Sequence, residues 1–239
     1  MLLGALPFTL IIGFITKPRL AALSSQQAAG LLGIVASVAL ALTAWLVIQG
    51  SHTPFDALTQ STFNLVSVIT TTGYASADYT QWGSFSVALF FVVMFIGGCS
   101  GSTSGGMKVF RFQLSYLFLR SQIRKLIHPR GVFITQYAGR PVPDDIVLSA
   151  VAFSFLFFVC LAAFTLLLSM MGLDILTSLS AAATALTNVG PGIGDVVGPA
   201  GNFATLPAAA KWLLSLAMLM GRLELLTLMV LFTPTFWRG

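Results

Sequence analysis

Charge is scarce in this sequence. Of 239 residues, 12 are lysine or arginine and 7 are aspartate or glutamate, so 8% are charged, against about 25% in an average soluble domain. So few ionisable side chains cannot solvate a globule of this size, which excludes a soluble enzyme or a nucleic-acid-binding domain. The net charge of +5 carries no such meaning either, because the bases lie between apolar segments rather than among aromatics on one face. Cysteine is nearly absent: Cys99 and Cys160 stand in or beside apolar stretches, make no disulfide framework and have no zinc spacing. The two histidines, His52 and His128, have no ligand set around them, and no cofactor is indicated. What fills the sequence instead is apolar side chain, at 56%. This is the composition of an all-α integral membrane protein in contact with lipid.

A bilayer core about 30 Å thick needs roughly 20 apolar helical residues to cross it. Residues 28–49, 146–171 and 209–232 qualify, the last interrupted by Arg222 and Glu224. Residues 84–98 are apolar but short, and a Gly/Ser-rich stretch follows before a helical pattern resumes over 107–119. Residues 54–69 and 173–187 are too short to cross alone; each is followed by a glycine and a turn-rich stretch, the pattern of a re-entrant helix. The opening MLLGALPFTLIIGFI lacks the basic flank and cleavage pattern of a signal peptide and reads as the end of a preceding helix.

Lys17, Arg19, Lys108, Arg111, Arg120, Arg124, Lys125, Arg130, Arg140 and Arg238 fall on one side of these spans. Asp56, Asp78, Asp174 and Asp195 fall on the other, with Lys211. The positive-inside rule makes the basic side cytoplasmic, with both termini there. Between the halves, residues 125–145 form a polar linker in which VFITQY alternates like a short strand and Gly139, Pro141 and Pro143 supply turns, predicting a small hairpin.

The order span, re-entrant segment, glycine turn, span occurs twice. Phe55-Asp56-Ala57-Leu58-Thr59 aligns with Leu173-Asp174-Ile175-Leu176-Thr177; Gly73 comes 17 residues after Asp56 and Gly190 16 after Asp174. Trp82 and Trp212 then stand near the start of the next span, where an aromatic ring suits the membrane interface. Both copies run in one direction, so an axis along the membrane normal relates them. The strings at the glycines are Thr70-Thr71-Thr72-Gly73-Tyr74 and Thr187-Asn188-Val189-Gly190-Pro191. A dehydrated cation needs several oxygens at once, and backbone carbonyls supply them without the trapping strength of a carboxylate. Glycine permits the required dihedrals, and the preceding helix aims its negative end at the ion.

These motifs, with FIGGCSGSTSGGMKVFR, LTNVGPGIG and MGRLELLT, resemble the C-terminal half of the ion-conducting subunit of the Trk/Ktr/HKT potassium transporter superfamily. The resemblance covers nearly the whole chain from about residue 30 and implies four repeats of outer, pore and inner helix around one pore, of which this chain carries two. On that reading residues 1–19 end a preceding inner helix, 20–125 form one pore repeat, 126–145 the linker and 146–239 a second repeat. Thr71, Thr72, Gly73, Tyr74, Asn188, Val189, Gly190 and Pro191 would line the filter, with potassium on the carbonyls of Thr72, Gly73, Val189 and Gly190. Asp78 and Asp195 would raise cation concentration at the outer mouth. The implied partners are membrane lipid, an N-terminal half with the other two repeats, a second copy of the complete subunit in a homodimer, and a cytoplasmic nucleotide-binding regulator. The implied location is the bacterial inner membrane. A sodium-permeable or ion-coupled relative and a truncated, non-conducting assembly subunit are the alternatives.

Residues 97–106, Gly97-Gly98-Cys99-Ser100-Gly101-Ser102-Thr103-Ser104-Gly105-Gly106, include five glycines, each costing about 1 kcal/mol relative to alanine in a helix. The inner span therefore breaks there. The resemblance makes this loop an intramembrane gate; a plain helix-ending cap is the simpler reading. Arg222 lies inside the last span, where a charge is costly and faces the bundle interior or water. The family places it in the permeation path, where it would limit ion occupancy or tie the gate loop; a purely structural bridge is the other reading. Gly98-Cys99-Ser100-Gly101 also fits a string of intramembrane serine proteases, but Ser100 would need a histidine within reach. His52 and His128 are expected at opposite faces.

Overall fold

The protein was analysed as a computed structural model, which describes residues 1–16, 25–50, 53–131, 133, 135–223, 227, 230 and 236–237. Lys17, Arg19, His52, Val132, Ile134, Glu224 and Arg238, all used in the sequence argument, lie outside the described residues.

The fold is predominantly helical: α1 (Leu2–Ala5), α2 (Phe8–Thr16), α3 (Gln26–Ile48), α4 (Pro54–Ile69), α5 (Ser84–Met94), α6 (Val109–Ile127), α7 (Asp144–Met170), α8 (Ile175–Thr187) and α9 (Ala208–Arg222). Among the described residues, α3 and α7 are the two helices long and apolar enough to cross a membrane. Both are apolar on every side, yet only one stripe of each is covered by protein. In α3 the buried residues are Ala28, Leu31, Val35, Ala39, Leu42 and Leu46, spaced at three and four along one face. Leu40 and Ile48, on other faces, are 64% and 80% exposed. Phe155, Leu166 and Met170 stand out from α7 in the same way. Large apolar side chains on the uncovered face of a long helix call for hydrocarbon or another apolar surface over them.

The short helices are buried differently. At 16 residues for α4 and 13 for α8, they are about 24 and 20 Å long, less than a bilayer core. Helix α4 packs between α3 and α5, and α8 between α7 and α9; α5 against α8 and α6 against α7 join the two halves. Every residue of α4 from Asn64 to Ile69 is buried, as is every residue of α8 from Ser180 to Thr187. In α8 these are all small except Leu186, which lets neighbouring backbones come close. A Cβ at Gly221 of α9 would lie 1.9 Å from Leu186 O.

The apolar run expected over 84–98 ends as helix at Met94. A parallel bridge between Ile96 and Met107 closes the glycine-rich segment into a loop, and α6 then continues well past residue 119. The linker contains the expected hairpin, with Gln136–Tyr137 pairing antiparallel with Arg140–Pro141 across Ala138 and Gly139, both of positive φ. Tyr137 Oη donates to Gln113 Oε1 at 2.6 Å and the Ala138 amide to Gln26 Oε1 at 2.8 Å, pinning the hairpin to α6 and α3. One placement differs from expectation. Trp82 is buried, 6% exposed, packed on Phe90 in a short 3-10 helix, Tyr79–Trp82, whereas Trp212 is 78% exposed. The indole of Trp45 donates to Trp82 O, which clamps this segment to α3.

Candidate functional site: two glycine segments and the loop beneath them

Helices α4 and α8 end at equivalent strings, and the same hydrogen bonds recur in register. The Thr71 amide donates to Val68 O, and the Asn188 amide to Ala185 O. The Thr72 amide donates to Ser67 O at 2.9 Å, and the Val189 amide to Thr184 O at 3.2 Å. Thr70 and Thr187 each turn a hydroxyl back onto the carbonyl four residues earlier, Val66 and Ala183. Thr71 and Asn188 are left-handed, at φ 53° and 58°, as are Gly73 and Gly190, at 80° and 109°. For a non-glycine residue that conformation costs about 1–2 kcal/mol, so two such residues at matching positions mark a backbone held by its surroundings.

The two strings lie against one another. A Cβ on Gly73 would sit 2.4 Å from Val189 O, and one on Gly190 3.8 Å from Gly73 Cα. Among the described residues, nothing donates a hydrogen bond to the carbonyls of Thr72, Gly73, Val189 or Gly190. Val189 is buried and Gly73 half-buried, whereas Thr72 and Gly190 are exposed, so these oxygens line an open face of the chain. Both helices also bring the negative end of their dipole here. The arrangement is a cluster of unpaired oxygen dipoles carrying no formal charge.

Loops behind the strings are braced by buried polar groups. Asn64 of α4 donates to Ser76 Oγ and accepts the Ser76 amide, both at 3.0 Å. Tyr79 stacks on Phe90 and donates to Gly192 O at 3.2 Å, joining one half to the other. Burial, and secondarily the Asp78 carboxylate, push the Tyr79 phenol well above its ordinary pKa, so it stays a donor. Asp78 accepts from the Thr80 amide, the Thr80 hydroxyl and Gln81 Nε2, which makes it the cap of the 3-10 helix. Asp195 is exposed. Asp56 and Asp174 hold different registers, contrary to the sequence alignment. Asp174 is itself the N-cap of α8, accepting the Thr177 amide at 3.0 Å. The N-cap of α4 is Thr53, with Asp56 in the first turn, because α4 begins about one turn earlier.

The loop 97–106 sits directly under both strings. The Gly105 amide donates to Thr71 Oγ1 at 2.7 Å, and a Cβ on Gly105 would meet Thr187 O at 2.5 Å and Asn188 Cβ at 3.0 Å. Arg222 Nη1 donates to Thr103 O at 2.8 Å, and Lys108 Nζ to Ser104 O. Inside the loop Ser104 Oγ accepts the Gly98 amide and meets Ser102 Oγ. The N-terminal residues also hold it: the Thr103 and Cys99 amides donate to Gly4 O and Ala5 O, and the Phe8 amide donates to Gly101 O. No sequence motif announced the Gly4–Phe8 anchor, Lys108 or Tyr79. Arg222 was singled out for its depth, and its bond to Thr103 O fits both a tie to the loop and a structural bridge to loop carbonyls. Ser100 is exposed and its amide donates to Gln27 Oε1; no histidine among the described residues bonds to it. Cys99 is a free, buried thiol.

Residues 28–238 match the family model described as "TrkH: Cation transport protein". The chain is 59% identical over 238 residues to the Trk system potassium uptake protein TrkI of Halomonas elongata, covering 100% of this chain and 48% of that protein. It is 40% identical over 214 residues to the Trk system potassium uptake protein TrkH of Vibrio parahaemolyticus, covering 86% of this chain and 42% of the relative. The crystal structure of the potassium transporter TrkH from Vibrio parahaemolyticus matches with a TM-score of 0.92 at 34% identity, over 99% of this chain and 51% of that one. The matched proteins are transporters rather than enzymes, and the chain spans about half the length of each. By sequence and by fold, this chain belongs to the TrkH family of cation transport proteins.

Proposed function

We propose that the chain forms half of a potassium-conducting pore, whose filter is built from the main-chain oxygens of Thr72, Gly73, Val189 and Gly190. The observation that carries this reading is the set of unpaired carbonyls where two short helices end. A potassium ion that sheds its water exchanges those oxygens for carbonyl oxygens, and no formal negative charge holds it back from leaving. Thr71, Tyr74, Asn188 and Pro191 flank the coordinating carbonyls and fix their direction. The membrane potential, about 2.3 kcal/mol per charge per 100 mV, drives the ion inward. The loop from Gly97 to Gly106 is the gate on the inner side, held shut by Thr71, Arg222 and Lys108. Asp78 and Asp195 mark the outer mouth. The basic α6–hairpin side faces the cytoplasm of a bacterial cell, both termini lie there, and a nucleotide-binding regulatory subunit docks on that side. The other two repeats come from an N-terminal half, and the complete subunit pairs as a homodimer.

The test is rubidium and sodium uptake in potassium-uptake-deficient cells that express the chain alone, or joined to the N-terminal half of the Halomonas elongata relative. Rubidium uptake in the joined protein, well above sodium uptake, is the expected result. Sodium flux equal to or above rubidium, or no flux despite normal membrane insertion, would overturn the reading.

A further inference from the structure

The two strings are alike in every backbone bond described above except one, and the exception lies one layer behind the carbonyls. In the second repeat, Thr184 Oγ1 accepts the Gly190 amide at 3.0 Å and donates to Pro191 O at 3.1 Å. The hydroxyl thereby fixes both the glycine and the residue after it. Ser67 holds the same register in the first repeat, since Ser67 O and Thr184 O take the matching amides of Thr72 and Val189. Ser67 is fully buried, and its Oγ is the one buried side-chain oxygen or nitrogen without a hydrogen-bond partner among the described residues. The Gly73 amide, counterpart of the Gly190 amide, instead reaches Ser67 O at 3.4 Å. That distance is beyond the usual range for such a bond, and the carbonyl is already engaged by Thr72.

Native proteins rarely leave a buried hydroxyl unpaired, and each case calls for an explanation. Here the Gly73 amide makes a long bond to a shared carbonyl, and the unused hydroxyl belongs to the same residue. Rotation about a single bond of Ser67 changes which oxygen is presented. A β-branched threonine, as at 184, has that rotation restricted.

Resting on the potassium-filter reading, we infer that Ser67 is a specificity-determining positioning residue. Its Oγ is a second acceptor for the Gly73 amide, so the first string has two available settings of its carbonyls, whereas Thr184 locks the second string in one. The first string closes around the ion and the second is the fixed wall against which ion size is measured.

The chain joined to the N-terminal half of the Halomonas elongata relative provides the assay, read as the ratio of rubidium to sodium uptake at matched membrane abundance. Ser67→Ala should lower that ratio at least fivefold through increased sodium flux. Ser67→Thr keeps an acceptor but locks the first string as Thr184 locks the second, so it should lower the ratio by a smaller factor of about two to three, and Thr184→Val should lower it as Ser67→Ala does. A merely structural role would change abundance and melting temperature and leave the ratio alone. If Ser67→Ala does not accumulate, Ser67→Cys replaces it with a weak acceptor of similar size, and a lowered ratio is again expected. A parent selective for rubidium with unchanged ratios in the serine variants overturns the role of Ser67 alone. A parent that does not select rubidium overturns this role together with the filter reading beneath it.

Discussion

Thr71 is held at φ 53°, and from that position its hydroxyl accepts the Gly105 amide of the loop below. One side chain thus belongs to the string beside Gly73 and to the support of the loop. Thr71→Val keeps the branched shape and removes the acceptor, at a cost of about 1 kcal/mol for the lost hydrogen bond. The expected outcome is an approximately fivefold faster reaction of a cysteine introduced at Ser102 with a thiol reagent added from the cytoplasmic side, with Thr71→Ser at the parental rate. Gly73 is more demanding, because both its φ of 80° and the 2.4 Å approach of Val189 O oppose a side chain. Gly73→Ala should abolish selective rubidium uptake while the protein still reaches the membrane, checked by flux against immunoblot. Arg222→Ala removes a charged donor from Thr103 O, a bond worth about 1.5–3 kcal/mol. The loop should then react with the same reagent tenfold faster or more.

Among the elements, α8 owes its first turn to Asp174, whose carboxyl is held below the usual aspartate range mainly by the Thr177 side chain and amide. A depressed folded-state pKa gives stability that is present above the unfolded value and lost as the pH falls through the folded one. Asp174→Asn should therefore melt below the parent at neutral pH, and the two should converge below about pH 4, as followed by thermal unfolding in detergent. Helices such as this were legible because their signals are local. Residues 28–49 and 146–171 proved to be Gln26–Ile48 and Asp144–Met170, and 54–69 proved to be Pro54–Ile69, since long apolar runs, a proline and a capping threonine act within a turn or two. The break after Met94 was legible from its glycines. What was not legible depends on partners far away in sequence: Thr103 on Gly4 across 99 residues and Tyr79 on Gly192 across 113. Trp82 misled for the same reason, because Trp45 and Phe90 bury it and neither leaves a mark on its local pattern. Asp56 and Asp174 align as strings yet start their helices differently, because an acid near a helix start fits either the cap or the first turn. The idle hydroxyl of Ser67 has no sequence signature at all.

For the whole molecule, two halves of like construction meet at Gly73 and Gly190, joined by Tyr79 above and the loop below. One face of each of α3 and α7 is left apolar and uncovered. The chain spans about half the length of its relatives, and two strings surround only part of an ion, so rubidium uptake should require the joined N-terminal half. In the proposed pore the ion meets main-chain oxygen rather than carboxylate. The most direct measurement is the anomalous scattering of rubidium in crystals of the joined protein grown in a rubidium salt. A peak between the two strings, within coordination distance of the carbonyls of Thr72, Gly73, Val189 and Gly190, is the expected result; rubidium at Asp78 or Asp195 with none between the glycines would contradict it.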